Sequence, residues 1–329
     1  MRAFEYASAA TKQQAVSLLS GTMGDAEILA GGTDLLSLIK DDILAPKRLV
    51  NIKEIKELGG IRSAGGGLRI GALTTIEEVA DSSLVRQAYP GLAQAAAEIA
   101  GPQIRHMATV GGNLCQRPRC WYFRNGFGLL GQDKNGKSLV LEGDNRYHAI
   151  LGNSGPAYFV HPSSLAPALI ALNAKIRIFG PAGERDLPLE QFYTVPKSAS
   201  DRENVLQAQE VLTEVVVPAA KGVRGATYEV RQKDAFDWPL ALASVALKMS
   251  AGKVQSARIV MGHVAPVPWR SQEAEQALVG KGVDEASAKA AGEAAVQGAR
   301  DLGHNAYKIQ LAKVAVKRAI LKAAKGTPV

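Results

Sequence analysis

The 329-residue sequence predicts an α+β chain in two parts. Three observations carry this prediction. Short strand-like and helix-like segments are mixed through the first two-thirds. Near residue 222 the character changes to three strand-like segments followed by three helical ones, the order of a separate α+β unit. Two pairs of adjacent glycines, Gly31-Gly32 and Gly111-Gly112, interrupt the first part at positions 80 residues apart.

The elements follow in order. Thr11 is placed to cap a helix over residues 11–20, with Ala15, Val16, Leu18 and Leu19 on its apolar face. Glu27 to Ala30 reads as a strand running into the first glycine pair, and Leu35, Leu36 and Ile39 as a short helix after it. Arg48 to Ile52 is a second strand, and Glu54 to Leu58 a turn of helix. Gly65-Gly66-Gly67 makes a turn before the strand Leu68 to Ala72, whose apolar positions alternate. Thr75 caps a helix through Val79, and Pro90 to Ile99 is an Ala-rich helix. Residues 117–150 are irregular, and a loop that long inside a compact domain is usually functional or interface-forming. Ser164 to Leu172 is a helix, Lys175 to Phe179 a strand, and Gly180 to Gly183 a hairpin turn. Strands at 226–230, 240–249 and 254–261 then form an antiparallel sheet, and helices at 272–278, 285–300 and 306–321 close the chain.

Composition bounds the function. Hydrophobic residues make up 47%, enough for a sizeable core. No apolar run reaches the roughly 18 residues of a membrane span. The N-terminus lacks the apolar stretch of a signal peptide, so a cytoplasmic protein is expected, and export alongside a signal-bearing partner stays open. The net charge of +8 is dispersed among acidic residues with no nucleic-acid motif, so no nucleic-acid partner is expected. Two cysteines, Cys115 and Cys120, fit a reducing compartment and cannot supply four thiolates to a cluster.

The first glycine pair lies in Leu29-Ala30-Gly31-Gly32-Thr33-Asp34-Leu35, the second in Thr109-Val110-Gly111-Gly112-Asn113. Adjacent glycines turn freely and remove the Cβ atoms that would keep a ligand from the backbone. Backbone N–H groups then converge on anionic oxygens, with hydroxyl and amide side chains adding contacts. Two such segments suggest one extended, phosphate-bearing cofactor gripped at two points.

The ordered set Ala30 to Leu36, Leu68 to Thr75, Gln103-Ile104-Arg105 and Ala108 to Leu114 resembles the flavin subunit of the molybdenum hydroxylases, the xanthine dehydrogenase and carbon monoxide dehydrogenase family. The resemblance runs through nearly the whole chain and implies an FAD site of the vanillyl-alcohol-oxidase (PCMH) type. It divides the chain into an FAD-binding domain over 1–220, with lobes at about 1–56 and 57–220, and a C-terminal domain over 222–329. The residues it assigns to the cofactor are Leu29, Ala30, Gly31, Gly32, Thr33, Asp34, Leu35, Ile70, Gly71, Ala72, Thr74, Thr109, Val110, Gly111, Gly112, Asn113 and Ser164. No catalytic acid–base residue and no metal ligand is assigned. The absence of a Gly-x-Gly-x-x-Gly opening agrees with a fold other than Rossmann.

The sequence departs from the family in places. Ser164, in His161-Pro162-Ser163-Ser164, stands where relatives often carry an acid, and Val230 where they commonly carry Lys, leaving Lys233 as the nearest cation. Asp237, in Ala235-Phe236-Asp237-Trp238, matches a polar position near the flavin. The segment from Gln116 to Phe123 resembles a loop that holds an extra [4Fe–4S] cluster in some relatives. Residues 124–329 contain no cysteine, so that cluster is not expected here, and Cys115 reads as a packing residue. His161 reads as structural, and the basic residues of the last helix, Lys308 among them, as a solvated face or a subunit contact.

The resemblance implies an electron-transfer role. Substrate is oxidised at a molybdopterin cofactor in a large partner subunit. Electrons then pass through [2Fe–2S] clusters of a small subunit to FAD in this chain, and on to NAD, a quinone or O₂. A free-standing FAD oxidoreductase and a structural subunit with a decayed flavin site are the alternatives.

Overall fold

The computed structural model describes residues 1–233 and 236–326. Its strands fall into three sheets that follow one another along the chain. The first is small and parallel: β1 (Glu5–Ser8) and β2 (Ala26–Leu29) flank β3 (Arg48–Asn51). Thr11 caps the helix Lys12–Leu18, accepting from the Gln14 amide, and that helix buries Ala15 and Val16. The helix Leu35–Lys40 provides the crossover between β2 and β3 that parallel pairing requires.

The second sheet is antiparallel, in the order β4 (Ile61–Ala64), β5 (Gly67–Gly71), β8 (Val211–Val217), β6 (Lys175–Gly180), β7 (Gly183–Pro188). The turn at Gly180 to Gly183 closes the hairpin β6–β7. The sequence reading anticipated β5 and β6 but not β1, β4, β7 or β8. In β4 and β7 nearly every residue is exposed, so there is no apolar alternation to read, and pairing with a neighbour makes each a strand. In β8 nearly every residue is buried, and the buried Thr213 and Glu214 break its apolar sequence, so no alternation marks it as a strand. Against this sheet pack the helices Ile76–Asp81, Pro90–Ala97 and Leu165–Ala171 around Val79, Leu92, Leu169, Ile176 and Val215. Thr75 and Glu78 form a reciprocal capping box on the first of these helices.

The third sheet is also antiparallel, in the order β12 (Trp269–Arg270), β11 (Lys253–Gly262), β10 (Ala241–Ser250), β9 (Val223–Val230). The helices Gln272–Leu278, Glu285–Ala295 and Tyr307–Lys325 share a core with it that includes Val245, Ile259, Ala291 and Val316. The middle helix was expected to continue to Arg300. It ends at Ala295, and the Arg300 amide instead donates to the Ile150 carbonyl at 2.8 Å, a tertiary bond invisible to local periodicity. Two short helices, Trp121–Arg124 and Leu139–Glu142, lie within the irregular 117–150 segment. Among the described residues no helix is long and apolar enough to cross a membrane.

Candidate functional site

The two glycine segments meet. The chain leaves β2 at Leu29, turns through Ala30 to Asp34 with Gly32 at φ +72°, and enters the helix Leu35–Lys40. A Cβ on Gly31 would collide with the Met107 carbonyl oxygen, so the first segment lies directly on the backbone preceding the second. The second segment is a short helix, Val110–Cys115, where the sequence suggested an open loop. Thr109 explains the difference: its Oγ1 accepts from the Gly112 amide at 3.1 Å and caps the helix. Gly111 donates from N–H to the Ala72 carbonyl at 2.8 Å, and a Cβ there would sit 2.9 Å from the Ala72 Cβ.

One cleft results. Ala30, Gly31, Gly32, Thr33, Asp34 and Leu35 line one side, and Ala72, Thr109, Gly111 and Gly112 the other. Residues 202–212, which lead into β8, close it. No motif in 202–212 marks that role; only the placement of β8 at the centre of its sheet brings the segment back. The amides of Gly31, Gly32, Thr33 and Asp34 have no backbone acceptor among the described residues. A run of free N–H groups at a glycine turn is the donor set an anionic group requires.

Leu29, Ile70, Gly71, Thr74 and Val110 lie beneath the cleft and outside its lining. Leu29, Ile70 and Val110 are core residues. Gly71 packs on the Leu58 carbonyl, and the Thr74 hydroxyl donates to the Gly60 carbonyl at 3.0 Å. Asp34 is occupied as well. Its carboxylate accepts from the Arg117 amide and from the Arg119 and Arg124 guanidiniums, each at 2.8 Å. Arg119 in turn lies 4.7 Å from the Trp238 ring centroid, tying the first sheet's loop to the chain beside the third sheet.

Beyond Asn113 the cleft opens into a second chamber lined by Asn113, Gln116, Ser164, Glu98, Asp237 and Trp238. Ala235 of the expected loop lies outside the described residues. Ser163, which the sequence reading passed over, donates to Asn113 Oδ1 at 2.6 Å and accepts from the Ala166 amide at 3.0 Å, fixing the Asn113 side chain. Ser164 Oγ lies 3.1 Å from His263 Nε2. The cation beside this group is Arg231, not Lys233. Arg231 Nε donates to the buried Glu229 carboxylate at 3.0 Å, while Lys233 is exposed. Burial raises Glu229 to about 7 against the pull of Arg231, and its Oε1 has no partner among the described residues.

Lys308 is also not on a solvated face. It is 1% exposed, and its Nζ donates to the carbonyls of Tyr147, His148 and His263 at 2.8–3.0 Å. Burial lowers it to about 7. Burial likewise holds His148 near 4 and His161 and His263 near 3. Each of these histidines binds a proton more weakly folded than unfolded, where its value is near 6.5. The histidines' contribution to stability is therefore full above about pH 6.5 and falls as pH drops toward 4, by up to about 1.4 kcal/mol per pH unit for each, with Glu229 offsetting part of one such loss. The urea midpoint is expected to drop steadily between pH 7 and pH 5. A midpoint constant over that interval would contradict neutral burial of these rings.

Fold and site together define a class: a two-sheet α+β cofactor-binding protein whose cleft is built by paired glycine segments, extended by a domain of antiparallel sheet and helices. Residues 2–220 match the family described as the FAD binding domain in molybdopterin dehydrogenase, and residues 226–323 the carbon monoxide dehydrogenase flavoprotein C-terminal domain. The chain is 31% identical to the carbon monoxide dehydrogenase medium chain of Hydrogenophaga pseudoflava, over 96% of each chain. It is 33% identical to the FAD-binding subunit of an Escherichia coli K12 aldehyde oxidoreductase, over 95% of this chain and 96% of that one. Its fold matches the solved H. pseudoflava carbon monoxide dehydrogenase with a TM-score of 0.77 at 32% identity, covering 98% of both chains. It matches quinoline 2-oxidoreductase of Pseudomonas putida 86 with a TM-score of 0.76 at 27% identity, again over 98% of both. The chain belongs to the family of FAD-binding medium subunits of the molybdenum hydroxylases.

Proposed function

We propose that this chain binds FAD in the cleft between its glycine segments and serves as the electron-transfer subunit of a molybdopterin-dependent dehydrogenase. The observation that carries the reading is the row of unpartnered amides from Gly31 to Asp34 on a cleft shared with Gly111 and Gly112. These amides and the Thr33 hydroxyl suit the pyrophosphate. Asp34 would repel an anion if its charge were free. Arg119 and Arg124 neutralise it, so its task is to hold the segment from Arg117 to Arg124 against the cleft. Asn113 and Ser164 stand at the chamber that would receive the flavin ring. Bound there, FAD supplies the redox chemistry; the protein binds it, orients it and sets its surroundings.

In this reading residues 1–220 form the FAD-binding domain and residues from 222 the domain covering the flavin side. The partners are a small subunit with [2Fe–2S] clusters and a large molybdopterin subunit, in the cytoplasm, with NAD, a quinone or O₂ as acceptor. Gly112→Leu tests the assignment with least harm to the fold, because a Cβ there meets only the Thr109 hydroxyl oxygen, at 3.0 Å. The variant is expected to keep the melting temperature of the unmodified apoprotein and to lose most of its FAD. Full FAD content in a folded Gly112→Leu chain would place the cofactor elsewhere.

A further inference from the structure

A separate cavity of about 230 Å³ lies between the 117–150 segment and the third sheet. It shares Arg119, Pro162, Asp237, Trp238 and Pro239 with the flavin chamber but touches neither glycine segment. Trp121, Tyr147, Phe159 and Trp238 supply aromatic surface, with the Trp121 and Tyr147 rings edge to face at 5.4 Å. Engineered apolar cavities of about 150 Å³ already hold benzene, so a substituted single ring fits this one.

Two buried polar atoms on residues lining this cavity have no partner among the described residues: His148 Nδ1 and Arg119 Nε. His148 is 3% exposed. Its Nε2 lies 3.2 Å from Cys120 Sγ. Burial raises the Cys120 thiol and lowers His148, which keeps both neutral; the thiol S–H is assigned as donor to Nε2, the tautomer in which Nδ1 carries the ring proton. Arg119 Nε is always a donor. Both unsatisfied groups are therefore donors, and a buried donor without a partner costs free energy that an acceptor recovers. Lys308, on the same wall, has all three of its donors engaged by carbonyls and leaves none for a ligand.

We propose that this cavity binds a flat, uncharged ring bearing two hydrogen-bond acceptors, quinone-like in shape and polarity, with His148 and Arg119 as its donors. The site is independent of the FAD assignment.

The test titrates the purified full-length chain with duroquinone, whose fully methylated ring does not add thiols. Tryptophan fluorescence is the readout, since two of the three tryptophans line the cavity. FAD content is measured on the same samples. Saturable quenching that added FAD does not displace is expected. Loss of one buried hydrogen bond in His148→Phe is expected to weaken it about tenfold. Val160→Phe fills the cavity while keeping both donors, and is expected to weaken binding at least as much even if His148→Phe does not fold. Absence of saturation, displacement by FAD, or unchanged affinity in a folded Val160→Phe chain would each overturn the proposal, whatever the FAD content.

Discussion

Gly31→Ala is expected to cost the chain both its FAD and a large part of its stability. The added methyl would occupy space held by the Met107 carbonyl, and backbone, unlike a flexible side chain, cannot turn aside. Overpacking of this kind costs about 1–3 kcal/mol where neighbours adjust, and more where they are backbone. The neighbours here are tied down: the Ala108 carbonyl accepts from Ile76 N–H at 2.9 Å, and Val110 N–H donates to the Thr74 carbonyl at 2.8 Å. Relief therefore requires separating the first glycine segment from the second, which opens the cleft. Urea denaturation together with quantification of released FAD reads both effects. A variant with the unmodified midpoint and full FAD would show that the segments do not need to touch. The contrast with Gly112→Leu is diagnostic, because only the Gly31 change is expected to move the midpoint.

Asp34→Ala is the second large effect. The substitution removes the acceptor for the Arg117 amide and the counter-charge for Arg119 and Arg124. Burial already depresses Arg119 to about 10, with Asp34 its principal support. Removing one partner of a largely buried ion pair leaves the other desolvated and uncompensated, at about 3–5 kcal/mol in full burial. Since these side chains keep some exposure, about 2–3 kcal/mol is expected. Asp34→Asn keeps an acceptor and is expected to lose less. Arg119 would also lose its fixed place over Trp238, so quenching of that indole is expected to change in Asp34→Ala. Equal stability of the Ala variant and the unmodified chain would contradict the tether.

The sequence makes some of this legible and hides the rest for physical reasons. Thr11 and Thr75 cap their helices as expected, because such caps are local and a single sequence reveals them. The glycine pairs stood out because few other residues turn so tightly, yet their reason was only half readable. Gly31 and Gly111 are required by the approach of one backbone to another, a demand set by residues far away in sequence. Thr109 was read as a ligand contact, and its capping of Val110–Cys115 emerges only with the helix in place. Asp34 carried no mark of its three donors, because Arg117, Arg119 and Arg124 are more than 80 residues distant. Lys308 belongs to a helix whose other basic residues all keep some exposure, and nothing local distinguishes the lysine that three carbonyls hold inside. Ser163 could have been found: a serine two residues after a histidine and just before an apolar helix is a natural partner for that helix's first amides. Strands β4 and β7 could not, since their exposed residues carry no period.

The most direct measurement is the FAD content of the purified chain, determined by absorbance before and after anaerobic dithionite and by release of the cofactor from denatured protein. About one FAD per chain, bleached on reduction, is expected of a single cleft that binds one extended cofactor at two points. A colourless chain that takes up no added FAD while folded would contradict the reading, and would leave the paired glycine segments as scaffold alone.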